Sequence, residues 1–245
     1  RLGARVIGTE DAKQFSSVTK GETLEDTIRI ISGLCDLIVL RHIEVGAAEK
    51  AARVSDVPSI NGGDGVGEHP TQALLDAYTI QNRLGTLSGL TVAMVGDLLN
   101  GRTVHSLVRF LAPYRTRFLF VSPESLKMPG QILAELARQG IKFEETTDFP
   151  RAICEADVLY MLRLQKERFK DAELYERIKG LYVLNVQGME SAKHRMVVMH
   201  PFPRNDEIAT EVDTDPRAAY FEQAKNGLFI RMALLELLLL PEFAH

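Results

Sequence analysis

The chain has 245 residues, 45% of them apolar, with a mean hydropathy of −0.05 and a net charge of −4 from 29 basic and 33 acidic side chains. That composition supplies a substantial core for one or two domains. It excludes a nucleic-acid footprint, because no basic block or aromatic-interleaved basic stripe occurs. It also excludes a bilayer span: the longest mainly apolar stretch, residues 237–240 with their neighbours from 232, is interrupted by Glu236 and closed by Pro241. Cys35 and Cys154 stand apart with no CxxC spacing, which points to a reducing, cytoplasmic compartment.

The elements follow in chain order. Leu2-Gly3 reads as a helix C-cap and residues 6–8 as the short strand it feeds, so the unit's helix start is expected ahead of Arg1. A polar loop over residues 13–20 carries Ser16, Ser17, Thr19 and Lys20. Thr23 is a plausible N-cap for a helix reaching Gly33, with Glu25 and Asp26 in its first turn. Residues 37–40 form a strand-length apolar run that ends in Arg41-His42, and residues 46–53 a helix rich in Ala and Glu.

Residues 57–60 are a strand leading into Asn61-Gly62-Gly63-Asp64-Gly65-Val66-Gly67-Glu68-His69-Pro70-Thr71-Gln72. Glycines ahead of a helix let the backbone approach a ligand, and the free N–H groups of the first turn favour an anion. Pro70 suits that first turn, and His69, Thr71 and Gln72 offer an imidazole, a hydroxyl and an amide at one place. The same loop could serve as a simple connection whose histidine is only a cap; the density of polar groups favours function. Leu74, Leu75, Tyr78 and Leu84 continue the helix at helical spacing.

After a connection at residues 85–89, residues 90–95 are a strand apolar on both faces, followed by Gly96-Asp97-Leu98-Leu99-Asn100-Gly101-Arg102-Thr103 and a helix over 104–111. Strands are expected at 118–121, 141–143, 158–161, 182–184 and 196–199. Helices are expected at 130–139, near 150–154, and at 227–240. The alternation implies parallel sheets flanked by helices, in two α/β domains joined by the helix that follows His69, with a cleft between them.

Ligands of open α/β sheets bind beyond the carboxyl ends of strands. There the sequence places Arg41-His42, the His69 loop, Arg102-Thr103, Arg163 with Gln165, and His200-Pro201-Phe202-Pro203-Arg204. One arginine there is ordinarily a solvated ion pair, but several delivered by the same rule point to a polyanion, since guanidinium forks match phosphate and carboxylate. The glycines after residue 95 are out of register for GxGxxG, so dinucleotide binding is weak. No HxxxH or HExxH pair, acidic ligand cluster or GxSxG is present, so neither a metal nor a covalent nucleophile is indicated. The remaining chemistry is positioning and charge stabilisation of an anionic substrate.

These segments resemble one family along essentially the whole chain. Lys20-Gly21-Glu22-Thr23, Arg41-His42, His69-Pro70-Thr71-Gln72, Gly101-Arg102-Thr103-Val104-His105-Ser106, Arg163-Leu164-Gln165-Lys166-Glu167-Arg168, His200-Pro201-Phe202-Pro203-Arg204 and Asp215-Pro216-Arg217 are similar to the catalytic chains of aspartate carbamoyltransferases. The resemblance implies two doubly wound parallel-sheet domains joined by two interdomain helices, with the active site in the cleft. It divides the chain into a carbamoyl-phosphate domain, residues 1–70 and 227–245, and an aspartate domain, residues 71–226. It implies carbamoyl transfer from carbamoyl phosphate to L-aspartate without a cofactor or metal. Arg41 and His69 would bind carbamoyl phosphate and polarise its carbonyl. Gln72 and the carbonyls of Pro201 and Phe202 would hold the carbamoyl NH₂. Lys20, Arg102, Thr103, Arg163 and Gln165 would hold aspartate. Ser16 and Lys20 match a loop that reaches a neighbouring subunit, so a homotrimer is expected, with a regulatory chain or fusion to other pyrimidine-pathway domains as a further expectation.

Departures from the pattern are Ile43 in place of a proline, Leu99 in place of a lysine and Leu162 in place of a threonine. The family's Ser-x-Arg-Thr-Arg phosphate element is expected ahead of Arg1. An ornithine-type carbamoyltransferase, or a non-catalytic assembly domain of the same fold, are the alternatives. The ornithine enzymes carry a Cys-Leu-Pro element where Pro201-Phe202-Pro203-Arg204 stands here.

Overall fold

The computed structural model describes residues 1–8, 21–164 and 172–240. The expected positions Ser16, Lys20 and Gln165 lie outside the described residues. The chain forms two compact units, one of Arg1–Thr71 with Phe229–His245 and one of Gln72–Leu228.

In the first unit, Thr23 caps α1 (Leu24–Ser32) by accepting the Asp26 N–H at 3.1 Å, as its hydroxyl chemistry predicts. Then follow β1 (Ile38–His42), α2 (Ala47–Val54) and β2 (Ser59–Asp64). The two strands pair in parallel, and Ile28, Ile38 and Ala51 form their buried core with Leu24, Leu40, Val54 and Val57 packed on it. Arg41-His42 form the C-terminal end of β1, as expected. One boundary is corrected: the strand before the His69 loop runs on through Gly62 and Gly63 to Asp64. A Cβ on Gly62 would stand 3.2 Å from the Leu40 carbonyl, so glycine is what lets β2 lie this close to β1. Residues 6–8 form no strand, because no described chain pairs with them; Val6 is 89% exposed.

α3 (Pro70–Leu84) leads into the second unit, whose five parallel strands are β3 (Thr91–Val95), β4 (Arg117–Val121), β5 (Phe143–Thr146), β6 (Val158–Met161) and β7 (Val197–Met199). Between them lie α4 (Arg102–Leu111), α5 (Gly130–Arg138), α6 (Phe149–Glu155), α7 (Ala172–Ile178) and α8 (Val186–Ser191), and α9 (Tyr220–Leu239) follows. The sheet order is β5-β4-β3-β6-β7. Successive strand residues alternate between two cores, which is why these strands read as apolar on both faces. Val92, Met94, Phe118, Phe120, Val158 and Tyr160 face a layer containing Val104, Leu107 and Ile132. Ala93, Val95, Leu119, Val121, Leu159 and Met161 face Phe149, Ile153 and Met189.

Three boundaries differ from the sequence reading. β5 begins at Phe143 and not at Ile141, because the Ile141 N–H closes the end of α5 on the Leu136 carbonyl at 3.0 Å. Residues 182–184 give only a single bridge, Leu184 to Ile208, in place of a strand. The last helix starts at Tyr220 and not at Gly227, because Tyr220, Gln223, Asn226 and Gly227 make one buried face at helical spacing.

At the rim, Arg151 bonds Glu144 at 2.6 Å and Glu155 at 2.6 Å, and Arg117 reaches Glu155 at 2.7 Å. The arginine bonds hold both carboxyls below their ordinary value of 4.5. A depressed carboxyl pKa gives stability that is complete above the unfolded value and lost as pH falls through the folded one. Urea midpoints of Arg151→Ala and the unaltered protein should therefore differ at pH 7 and converge in acid, well below 4.5. In the core, Phe120→Ala should cost about 3–5 kcal/mol in urea unfolding, since Phe120 is fully buried and stacked on Phe118.

Candidate functional site

Each unit builds its own set of polar groups from the ends of its strands. In the first unit the organiser is Asp64. Its Oδ2 accepts the Gly46 N–H at 2.8 Å, its Oδ1 accepts the Glu68 N–H at 2.8 Å, and its own N–H donates to the Glu68 carbonyl at 3.2 Å. Burial pushes its carboxyl up, but these N–H donors outweigh that and hold it below 3.8. The Gly65 N–H donates to the His42 carbonyl at 2.9 Å. The loop leading to His69 is thereby fastened to the end of β1 that carries Arg41 and His42. Arg41 is exposed and has no ion-pair partner among the described residues. His69 is half-buried immediately before α3, its Nδ1 3.5 Å from the Thr71 hydroxyl.

In the second unit the strand order reverses between β3 and β6: β4 and β5 lie to one side of β3, β7 beyond β6. Adjacent carboxyl ends at such a switch point form the usual ligand crevice of a parallel sheet. Arg102 and Thr103 open α4 after β3, and Arg163 follows β6; all three are half-buried. Gly96 makes the turn possible: it sits at φ 118°, and a Cβ there would meet the Leu162 carbonyl at 2.3 Å. Asp97 is fully buried and accepts from the Asn100 backbone and side-chain N–H groups, both at 3.0 Å. His105 Nε2 donates to the Leu98 carbonyl at 2.7 Å. Those bonds fix the loop from which Arg102 emerges.

After β7 the chain turns through His200-Pro201-Phe202-Pro203, with Phe202 at φ 53° and a cis Phe202–Pro203 bond. The Phe202 N–H donates to His200 Nδ1 at 2.9 Å, so the proton sits on Nε2, which donates to Glu207 Oε1 at 2.8 Å. Burial raises the Glu207 pKa, but bonds from His200 and the Asn205 N–H outweigh it and leave it low. Arg204, which the sequence grouped with the anion-binding arginines, is instead held by both Asp213 oxygens and lies over the Tyr220 ring at 5.4 Å. That pair neutralises it inside the protein.

Gln72 is buried in the first turn of α3, and the sequence reading missed what holds it. Asp76, fully buried, accepts from Gln72 Nε2 at 2.9 Å, Tyr160 Oη at 2.7 Å and Gln223 Nε2 at 2.6 Å. Burial first, then the Asp76 charge, push the Tyr160 pKa well above the phenol range, so it stays a donor. The nearby Thr103 and Gln72 side chains pull it down, but by less. An acid four residues after Gln72, on the face that also carries Leu75 and Ile80, was the available signal. Among the described residues no cluster of His, Cys, Asp or Glu could hold a metal.

Residues 1–82 match the carbamoyl-P binding domain of aspartate/ornithine carbamoyltransferases, and residues 88–238 match their Asp/Orn binding domain. The chain is 54% identical over 241 residues to the chloroplastic aspartate carbamoyltransferase of Arabidopsis thaliana, covering 98% of this chain and 62% of that one. It is 54% identical over 235 residues to the multifunctional protein CAD of Squalus acanthias, which it covers to 10%. Among solved structures, the aspartate transcarbamoylase of Trypanosoma cruzi in complex with N-(phosphonacetyl)-L-aspartic acid superposes with a TM-score of 0.88 at 45% identity, over 96% of this chain and 75% of that one. The chain thus spans less than two thirds of the length of the plant relatives it matches. With both domain models matched in order and half its residues shared with those relatives, the chain belongs to the aspartate/ornithine carbamoyltransferase family.

Proposed function

We propose that the protein transfers the carbamoyl group of carbamoyl phosphate to the amine of L-aspartate, giving N-carbamoyl-L-aspartate and phosphate. The observation that carries this reading is the pair of arginines at adjacent strand ends, Arg102 after β3 and Arg163 after β6. Two guanidinium groups there suit the two carboxylates of aspartate, whereas they would repel the second ammonium of ornithine. The T. cruzi relative, whose structures include one with carbamoyl phosphate and aspartate, supports the same substrates.

In this reading Arg41 and His69 bind carbamoyl phosphate and take up charge on the carbonyl oxygen as the tetrahedral intermediate forms. Gln72 and the carbonyls of Pro201 and Phe202 accept from the carbamoyl NH₂. Arg102, Thr103, Arg163 and Gln165 orient aspartate, with Lys20. The amine lone pair attacks the carbonyl carbon, the bond to the phosphate oxygen breaks, and the amine's proton leaves with the phosphate. No group on the protein is covalently changed, so rate comes from orientation and fixed charge. A homotrimer in which Ser16 and Lys20 serve a neighbouring subunit is part of the proposal. So is a reducing, cytosolic setting for the free Cys35 and Cys154, beside plant relatives named chloroplastic. No described helix is long and apolar enough to cross a membrane.

Arg163→Ala should lower kcat/KM for aspartate about 100- to 10,000-fold while carbamoyl phosphate still binds, as loss of a charge-assisted fork implies. Unchanged aspartate kinetics would reject the substrate assignment. His69→Ala should lower kcat about 100- to 1,000-fold without abolishing turnover, the loss expected for one donor to a developing oxyanion. An undiminished kcat would leave His69 as a helix-start residue.

A further inference from the structure

The groups assigned to the carbamoyl NH₂ come from different elements of the second unit, Gln72 from α3 and the Pro201 and Phe202 carbonyls from the turn after β7. One buried side chain connects them. Gln223 Oε1 accepts the His200 backbone N–H at 2.9 Å, and Gln223 Nε2 donates to Asp76 Oδ1 at 2.6 Å. The same Oδ1 accepts Gln72 Nε2 at 2.9 Å.

A carboxylate can only accept, so Asp76 decides which end of each amide faces it. Gln223 must turn its NH₂ toward Asp76, which leaves its oxygen for the His200 N–H. Gln72 must also turn its NH₂ inward, which leaves Oε1 as the end it can offer to a ligand. On the far side of the bridge, His200 is held at both ring nitrogens, by the Phe202 N–H and by Glu207. The direction of the carbonyls in the following turn therefore depends on where His200 stands.

We propose that Asp76 and Gln223 are positioning residues that turn Gln72 Oε1 and the carbonyls of Pro201 and Phe202 into one set of oxygen acceptors. The set selects an acyl phosphate whose carbonyl carbon bears NH₂ over the equally sized one bearing CH₃. This rests on the function proposed above. An NH₂ group supplies two donors to these oxygens, while a methyl group supplies none and leaves them desolvated and unpaired. A Gln72 amide turned the other way would set N–H against N–H and remove the preference. Neither Asp76 nor Gln223 needs to touch the ligand.

The probes are carbamoyl phosphate and acetyl phosphate, which share the phosphate and carbonyl and differ only in NH₂ against CH₃. Their dissociation constants are compared in the complete protein and in Gln223→Met and Asp76→Asn. Both variants should lower the preference for carbamoyl phosphate about 10- to 100-fold, with acetyl phosphate binding little changed. Asp76→Asn keeps the side-chain volume and carries the comparison if Gln223→Met does not fold. Parallel weakening of both ligands would mean a merely structural role and overturn the proposal. If the unaltered protein transfers carbamoyl groups yet binds both phosphates equally, this proposal fails and the function stands. Absence of carbamoyl transfer by the unaltered protein overturns both.

Discussion

A carboxylate buried away from water must find a donor for each oxygen or pay a desolvation cost of several kcal/mol, about as much as a domain's whole margin of stability. Asp76 meets that demand with donors from α3, β6 and α9: Gln72, Tyr160 and Gln223. Those elements are thus held to one another by directional bonds as well as by packing, which alone would tolerate small shifts. The bonds reach further through His200 on Gln223. The groups proposed above to hold the carbamoyl NH₂ are thereby referred to a single buried charge in the second unit. Such networks fix a geometry at the expense of tolerance, since removing one partner strands the others.

The first unit solves a similar problem with a less buried acid. Asp64 gathers backbone donors from Gly46 and Glu68, and the loop it shapes delivers His69 to the start of α3. In both units an acid supplies the fixed point, and the groups proposed to meet ligand are arginines, a histidine, an amide and carbonyls. That division suits a reaction between a phosphate and a dicarboxylate, since an acid facing the ligands would repel them. It also explains the fate of Arg204, whose charge is spent on Asp213 and not on substrate.

The strand order adds the second constraint. A parallel sheet whose strand order reverses between β3 and β6 leaves a crevice at their carboxyl ends, and this chain places Arg102, Thr103 and Arg163 after those ends. The turn that allows it is sterically exacting, because Gly96 lies against the Leu162 backbone. Leu162, where a threonine is common in the resembled family, is buried here and its side chain packs against the space beside Gly96 and Gly101.

Continuous apolar runs of strand length, glycines at strand ends and Thr23 as an N-cap made the α/β class and most elements of this chain legible from the residues alone, because those signals are local. So did the position of the arginines and of His69, which follow from where apolar runs stop. Contacts distant in sequence decided the rest. Gly62 and Gly63 belong to a strand only because β1 lies beside them, residues 182–184 form no strand because only Ile208 bridges to them, and α9 begins early because Tyr220 and Gln223 are buried. The pairing of Arg204 with Asp213 and of Asp76 with Tyr160 and Gln223 joins residues that periodicity cannot connect. Sequence thus named the groups able to meet an anion; tertiary structure decided that Arg204 is neutralised by Asp213, because only folding brings that neighbour within hydrogen-bonding distance.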